Sequence, residues 1–113
     1  MLINLNNYEE VLKGISVVEV SGEGCANCIS LIPILNNLVG KRTDCSLHHI
    51  EVDENTYPLV EKFGVEAVPT ILVLYNQEVF AKCRGYQPEE ILEIWLDAKI
   101  EELKIKKSNS VNK

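Results

Sequence analysis

Apolar positions along this chain follow two periods, and the alternation between them marks out the elements. Residues 15–20, I-S-V-V-E-V, are β-branched and almost continuously apolar, as in a strand buried on both faces. T-I-L-V-L-Y at 70–75 has the same character. S-L-H-H-I-E-V at 46–52 reads as another strand, closed by Asp53-Glu54-Asn55. E-V-F-A-K-C at 78–83 alternates, and Asn76-Gln77 supplies the tight turn that makes it a hairpin partner of 70–75. L-I-N-L at 2–5 predicts a short first strand.

Helical spacing fills the gaps. Leu31, Ile34, Leu35 and Leu38 predict a helix over 27–39, stopped by Gly40. Pro33 lies inside it, removes a backbone donor and should kink it. Asn6 or Asn7 can cap a short helix through Leu12, with Glu9 and Glu10 in its first turn and Gly14 at its end. A second short helix is expected over 56–63, before Gly64. Pro88 suits the first position of a last helix, with Ile91, Ile94, Trp95 and Ala98 as its apolar face. The ending K-I-K-K-S-N-S-V-N-K is basic and polar, so the domain is expected to span 1–105, with 106–113 as a loose tail. The order βαβαβαββα predicts an α/β fold: a central mixed sheet of four to five strands with helices on both faces.

Composition narrows the function. The net charge of −6 and the lack of a basic cluster argue against a nucleic-acid partner. No apolar run approaches the roughly 18 residues of a membrane span. The N-terminus lacks a basic region followed by an apolar core, so a cytoplasmic location is expected. Thiols are kept reduced there, which disfavours a structural staple.

That matters for S-G-E-G-C-A-N-C at 21–28. Cys25 and Cys28 could hold a metal, staple a loop or pass electrons. Placed at the start of the helix, residues three apart share a face, at a separation of roughly 5–6 Å that a disulfide accepts. Cys25 at the cap would meet the unpaired N–H groups of the first turn, which favour its thiolate. Cys28, one turn in, would be shielded. Cys25 should therefore attack and Cys28 resolve.

Zinc is the rival, because Cys45-x2-His48 follows Cys28 after sixteen residues. A zinc-binding or redox-inactive interaction module is the corresponding alternative function. Cys45 and His48 fall in a strand-like segment, however, where positions three apart point to opposite faces. No metal set is therefore expected. Cys45 and Cys83 read most simply as packing residues. Val68-Pro69-Thr70 opens the 70–75 strand. On composition alone Pro69 is an ordinary strand-start proline; a cis bond there would expose the Val68 backbone to an extended substrate.

Together, V-V-E-V-S-G-E-G-C-A-N-C-I-S-L-I-P-I-L, I-E-V-D-E-N, F-G-V-E-A-V-P-T-I-L-V-L-Y and R-G-Y resemble the thioredoxin family, from about residue 2 to 103. The resemblance implies a thioredoxin fold, with the first and crossover strands parallel and the last hairpin antiparallel. It implies a thiol–disulfide oxidoreductase in which Cys25 is the nucleophile, Cys28 the resolving thiol and Pro69 a cis-proline facing them. The substrate groove would run past Gly24, Ala26, Asn27, Val68, Pro69 and Gly85. Glu19 stands where the family usually buries an Asp, and would take the proton of Cys28. His49 replaces the usual Lys partner and would pair with Glu19. Gly24 stands in place of the usual Trp, and Ala26-Asn27 in place of Gly-Pro. Asn27 is expected to make the disulfide more oxidising. The implied partners are protein disulfides and a thioredoxin reductase-like electron donor. The chain should act as a monomer and without a bound cofactor, since the two sulfurs carry the electrons.

Overall fold

All seven residues of the central strand are buried, apolar and polar alike. In the computed structural model, which describes residues 2–111, this strand is the second element. The order is α1 (Tyr8–Val11), β1 (Ile15–Ser21), α2 (Ala26–Gly40), β2 (Ser46–Glu51), α3 (Tyr57–Lys62), β3 (Thr70–Tyr75), β4 (Glu78–Arg84) and α4 (Glu89–Val111). The sheet order is β2-β1-β3-β4. β1 runs parallel to β2 and antiparallel to β3, and β3 pairs antiparallel with β4. The sheet is therefore mixed and four-stranded.

The period of two along β1 splits the interior into two cores. Ile15 and Val17 meet Leu31, Leu35 and Leu38 of α2 and Leu92, Leu96 and Ile100 of α4. Val18 and Val20 point the other way, toward Leu12, Leu59, Val60 and Phe63 around α1 and α3. Helices thus cover both faces. Glu19, at an odd position, belongs to the α2/α4 side.

Residues 2–5 do not form a full strand. They add one parallel bridge, Leu2 to His49, and the Ile3 N–H donates to the His49 carbonyl at 2.7 Å. The cause is local competition. Asn4 Oδ1 accepts from the N–H groups of Asn6 and Asn7, while Asn7 Oδ1 accepts from that of Asn4. Such side-chain bonds divert the backbone from a ladder.

The hairpin turn forms as expected. Asn76 and Gln77 have φ of 47° and 73°, the left-handed pair that a two-residue turn demands. Asn76 Oδ1 also accepts from the Gly14 N–H at 2.7 Å, and Gln77 Nε2 donates to the Leu12 carbonyl at 2.6 Å. The turn thus holds the end of α1.

In α4 the expected apolar face is corrected. Leu92, Leu96, Ile100 and Leu103 are buried, whereas Ile91 and Ile94 are exposed, Ala98 faces solvent and Trp95 packs only at the core's edge. The helix carries apolar residues on two stripes, and packing against the sheet selects the one about one residue round. The expected tail is helical as far as Val111, and residues 112 and 113 lie outside the described residues. Lys106 and Lys107 lie over the rings of Phe80 and Tyr75 at 5.6 and 5.0 Å, which favours continuing the helix there.

Candidate active site

The C-terminal end of β1 delivers the chain to the start of α2 through Gly22-Glu23-Gly24. Gly24 has φ of +73°, a conformation that costs a residue with a Cβ about 1–2 kcal/mol. Cys25 is the N-cap of α2, and its Sγ accepts from the Cys28 N–H at 3.2 Å. The sulfur thus satisfies one of the helix's unpaired donors. Cys25 is half-exposed, while Cys28 is only 2% exposed. Their Cα atoms are 5.3 Å apart and the two sulfurs are bonded. The structure is that of the oxidised form.

Under α2, Glu19 is completely buried. It shares the sheet face that α2 covers, and Cys28 lies on the buried side of that helix. The Ser21 hydroxyl donates to its carboxylate from two residues along the same strand face. His49, its register partner on β2, places Nδ1 3.3 Å from Glu19 Oε1. The expected pair is therefore formed, and the imidazole is 26% exposed. Ser21 was not among the expected residues. Its place two positions after a strand glutamate was the available signal.

The third component arrives with β3. The Val68–Pro69 peptide bond is cis. Val68 is 37% exposed, and its Cγ2 would lie 3.1 Å from a Cβ added at Gly22. The loop before β3 therefore packs directly on the loop before the cysteines. Gly85, with φ of +84°, donates its N–H to the Pro69 carbonyl at 2.8 Å. Ala26 and Asn27 are exposed in the first turn of α2. Gly24, Ala26, Asn27, Val68, Pro69 and Gly85 thus all lie at the end of the sheet where the chain leaves β1 for the cysteines.

Cys45 packs against the α2/α4 core, whereas His48 pairs with Val18 on the opposite face and has Nε2 2.9 Å from Ser46 Oγ. The spacing that suggested a zinc site therefore does not converge. Burial pushes the Cys45 thiol up to about 11, helped by the charge of Asp44. Burial also pushes the Cys83 thiol up and the His48 imidazole down. Neither free cysteine has the environment of a reactive thiolate.

A C-x-x-C disulfide at the head of a helix, beside a cis-proline loop and above a buried carboxylate, defines a thiol–disulfide oxidoreductase. The thioredoxin family model matches residues 1–98. The chain belongs to the thioredoxin family. The thioredoxin of Chlamydia pneumoniae is 28% identical over 92 residues, spanning 80% of this chain and 89% of that protein. The thioredoxin of Bacillus subtilis is 32% identical over 85 residues, spanning 74% of this chain and 81% of that one. The crystal structure of Chlamydomonas reinhardtii thioredoxin f2 superposes with a TM-score of 0.71 at 17% identity, covering 83% of this chain and 91% of that one. At that identity the likeness speaks for the fold alone. No helix among the described residues is long and apolar enough to cross a membrane.

Proposed function

We propose that this protein is a protein disulfide reductase that works through Cys25, Cys28 and Glu19. The reading rests on one observation above all: a half-exposed Cys25 caps a helix whose next turn buries Cys28 within bonding distance. In the reduced form, the Cys25 thiolate attacks one sulfur of a substrate disulfide. A Cys25–substrate bond forms and the other substrate sulfur leaves as a thiolate. Cys28 passes its proton to Glu19 and attacks Cys25 Sγ. That step closes the Cys25–Cys28 disulfide and releases the second substrate thiol, so two electrons have moved to the substrate.

Val68, Pro69 and Gly85 form one wall of the groove, and Gly24, Ala26 and Asn27 form the other. A substrate strand would lie along the Val68 backbone. Ala26-Asn27 between the cysteines, with Asn27 in place of a proline, favours a more oxidising disulfide than a Gly-Pro pair gives. A thioredoxin reductase-like flavoprotein would return the two electrons. The cytoplasm is the compartment where such a donor and reduced thiols coexist. Residues 1–105 would carry the whole activity as a monomer, with 106–113 as an appendage.

Trapping tests the reading. In a Cys28→Ser variant the mixed disulfide has no internal thiol to resolve it. Incubated with a disulfide-bonded protein such as insulin, the variant should accumulate a covalent adduct at Cys25. An adduct at Cys45 or Cys83, or no adduct, contradicts the assignment.

A further inference from the structure

Val68 also lines a concavity of about 570 Å³ between α3 and the loop before β3. That is within the range of small-ligand pockets. Its walls are apolar: Val52, Val65, Val68 and the ring of Tyr57. Tyr57 is 53% exposed, so a large aromatic surface faces solvent beside the site. The rim differs in character. Glu61 and Glu66 both line the concavity and both are exposed. Neither has a cationic partner within ion-pair distance among the described residues.

An apolar concavity with two unpaired carboxylates in its lining fits one kind of side chain: a long aliphatic stem with a cationic head. Lysine and arginine have that form, and arginine can engage carboxylates in bidentate fashion. Val68 belongs both to the groove wall and to this concavity, so an occupant need not come from a separate molecule. In an extended segment, alternate side chains point the same way. A strand lying along Val68 with its cysteine at the disulfide would therefore lean a nearby side chain into the concavity.

We propose that this concavity is a specificity subsite, and that the preferred substrates are disulfides with an arginine or lysine a few residues from the attacked cysteine. The inference rests on the groove reading given above. It adds the substrate class, with Glu61 and Glu66 selecting charge while Tyr57 and Val52 hold the stem.

Synthetic disulfide peptides test it. Arg, norleucine or Glu is placed in turn at each of three positions on either side of the cysteine, and kcat/KM for reduction is measured. At one position the Arg peptide should be reduced roughly fivefold or more faster than the Glu peptide. In a Glu61→Gln, Glu66→Gln variant that ratio should fall toward one. A Glu101→Gln, Glu102→Gln control on α4, with the same change of net charge, should keep it. Equal rates for Arg and Glu at every position overturn the subsite, as does a ratio that survives in the first variant. An equal fall of the ratio in the control also overturns it, because long-range charge would then be the cause. If wild-type protein reduces none of the peptides, the groove reading itself fails.

Discussion

Glu19 and His49 are register partners on adjacent parallel strands, with the histidine Nδ1 3.3 Å from a carboxylate that no solvent reaches. Ser21 donates to the same carboxylate. A buried carboxyl group with two hydrogen-bond partners is tolerable where an unpaired one is not. Beneath the helix that buries Cys28, this carboxyl group is the one that the proposed mechanism uses as proton acceptor.

Glu19→Gln keeps the size of the side chain and removes the proton acceptor. Resolution of the Cys25 mixed disulfide should slow about a hundredfold near neutral pH. The deficit should shrink at alkaline pH, where Cys28 ionises unaided. Rapid-quench measurement of the adduct's lifetime reads both effects, and an unchanged lifetime at pH 7 removes Glu19 from the mechanism.

Gly22 and Gly24 should fail in different ways. A Cβ on Gly22 would press on Val68 Cγ2 at 3.1 Å, while one on Gly24 meets nothing within 4 Å. Gly24→Ala should therefore cost about 1–2 kcal/mol through its positive φ alone. Gly22→Val should cost about 1–3 kcal/mol through overpacking and should also raise KM, because it displaces the groove wall. Denaturant melts paired with substrate titrations separate the two. A KM for Gly22→Val equal to wild type would show that Val68 does not border the groove.

Arg42, in the loop between α2 and β2, braces that loop internally and ties it to α4. Its Nε and Nη2 donate to the two oxygens of Asp44 at 2.9 Å each, and Nη1 reaches Asp97. The hydrogen bond from Arg42 holds the Asp44 carboxyl well below the usual carboxylate range, with Lys104 adding to it. A depressed carboxyl contributes stability above its unfolded value and loses it as the pH falls. Asp44→Asn should lower stability by about 1 kcal/mol at pH 7. Its gap from wild type should narrow below about pH 4. Thermal melts from pH 7 to pH 2 check this, and a constant gap would contradict it.

Cys45 acts in the opposite range. Its thiol is raised from 9.0 to about 11, chiefly by burial. Between those values the unfolded chain loses a proton that the folded chain keeps, so stability falls as pH rises through that window. Cys45→Ala should flatten the decline between pH 9 and 11 in chemical denaturation. An identical slope in both proteins would show that other groups cause it.

Much of this was legible in the sequence, for physical reasons. The strand at 70–75 was read to the residue because an apolar β-branched run bounded by Pro69 and Asn76 leaves little choice. Helix α2 announced itself through Leu31, Leu35 and Leu38, and its dithiol through spacing. The face of α4 was misread because Ile91, Ile94 and Ala98 compete with Leu92, Leu96 and Ile100, and only the sheet decides between them. The short strand at 2–5 was lost to asparagine side chains that periodicity does not weigh. The contact of Gly22 with Val68 joins segments 46 positions apart, and no local pattern encodes it. The Glu61–Glu66 rim was invisible for the same reason: it is a rim only once α3 folds beside Val68.

The central claim is that Cys25 alone among the four thiols is both ionised and presented. Alkylating the fully reduced, folded protein at a series of pH values, with the modified positions mapped by mass spectrometry, tests it most directly. Cys25 should react first, with an apparent pKa below the value of about 8.5 for a free cysteine, while Cys28, Cys45 and Cys83 lag. Labelling of all four at similar rates, and only above that pH, would contradict the account.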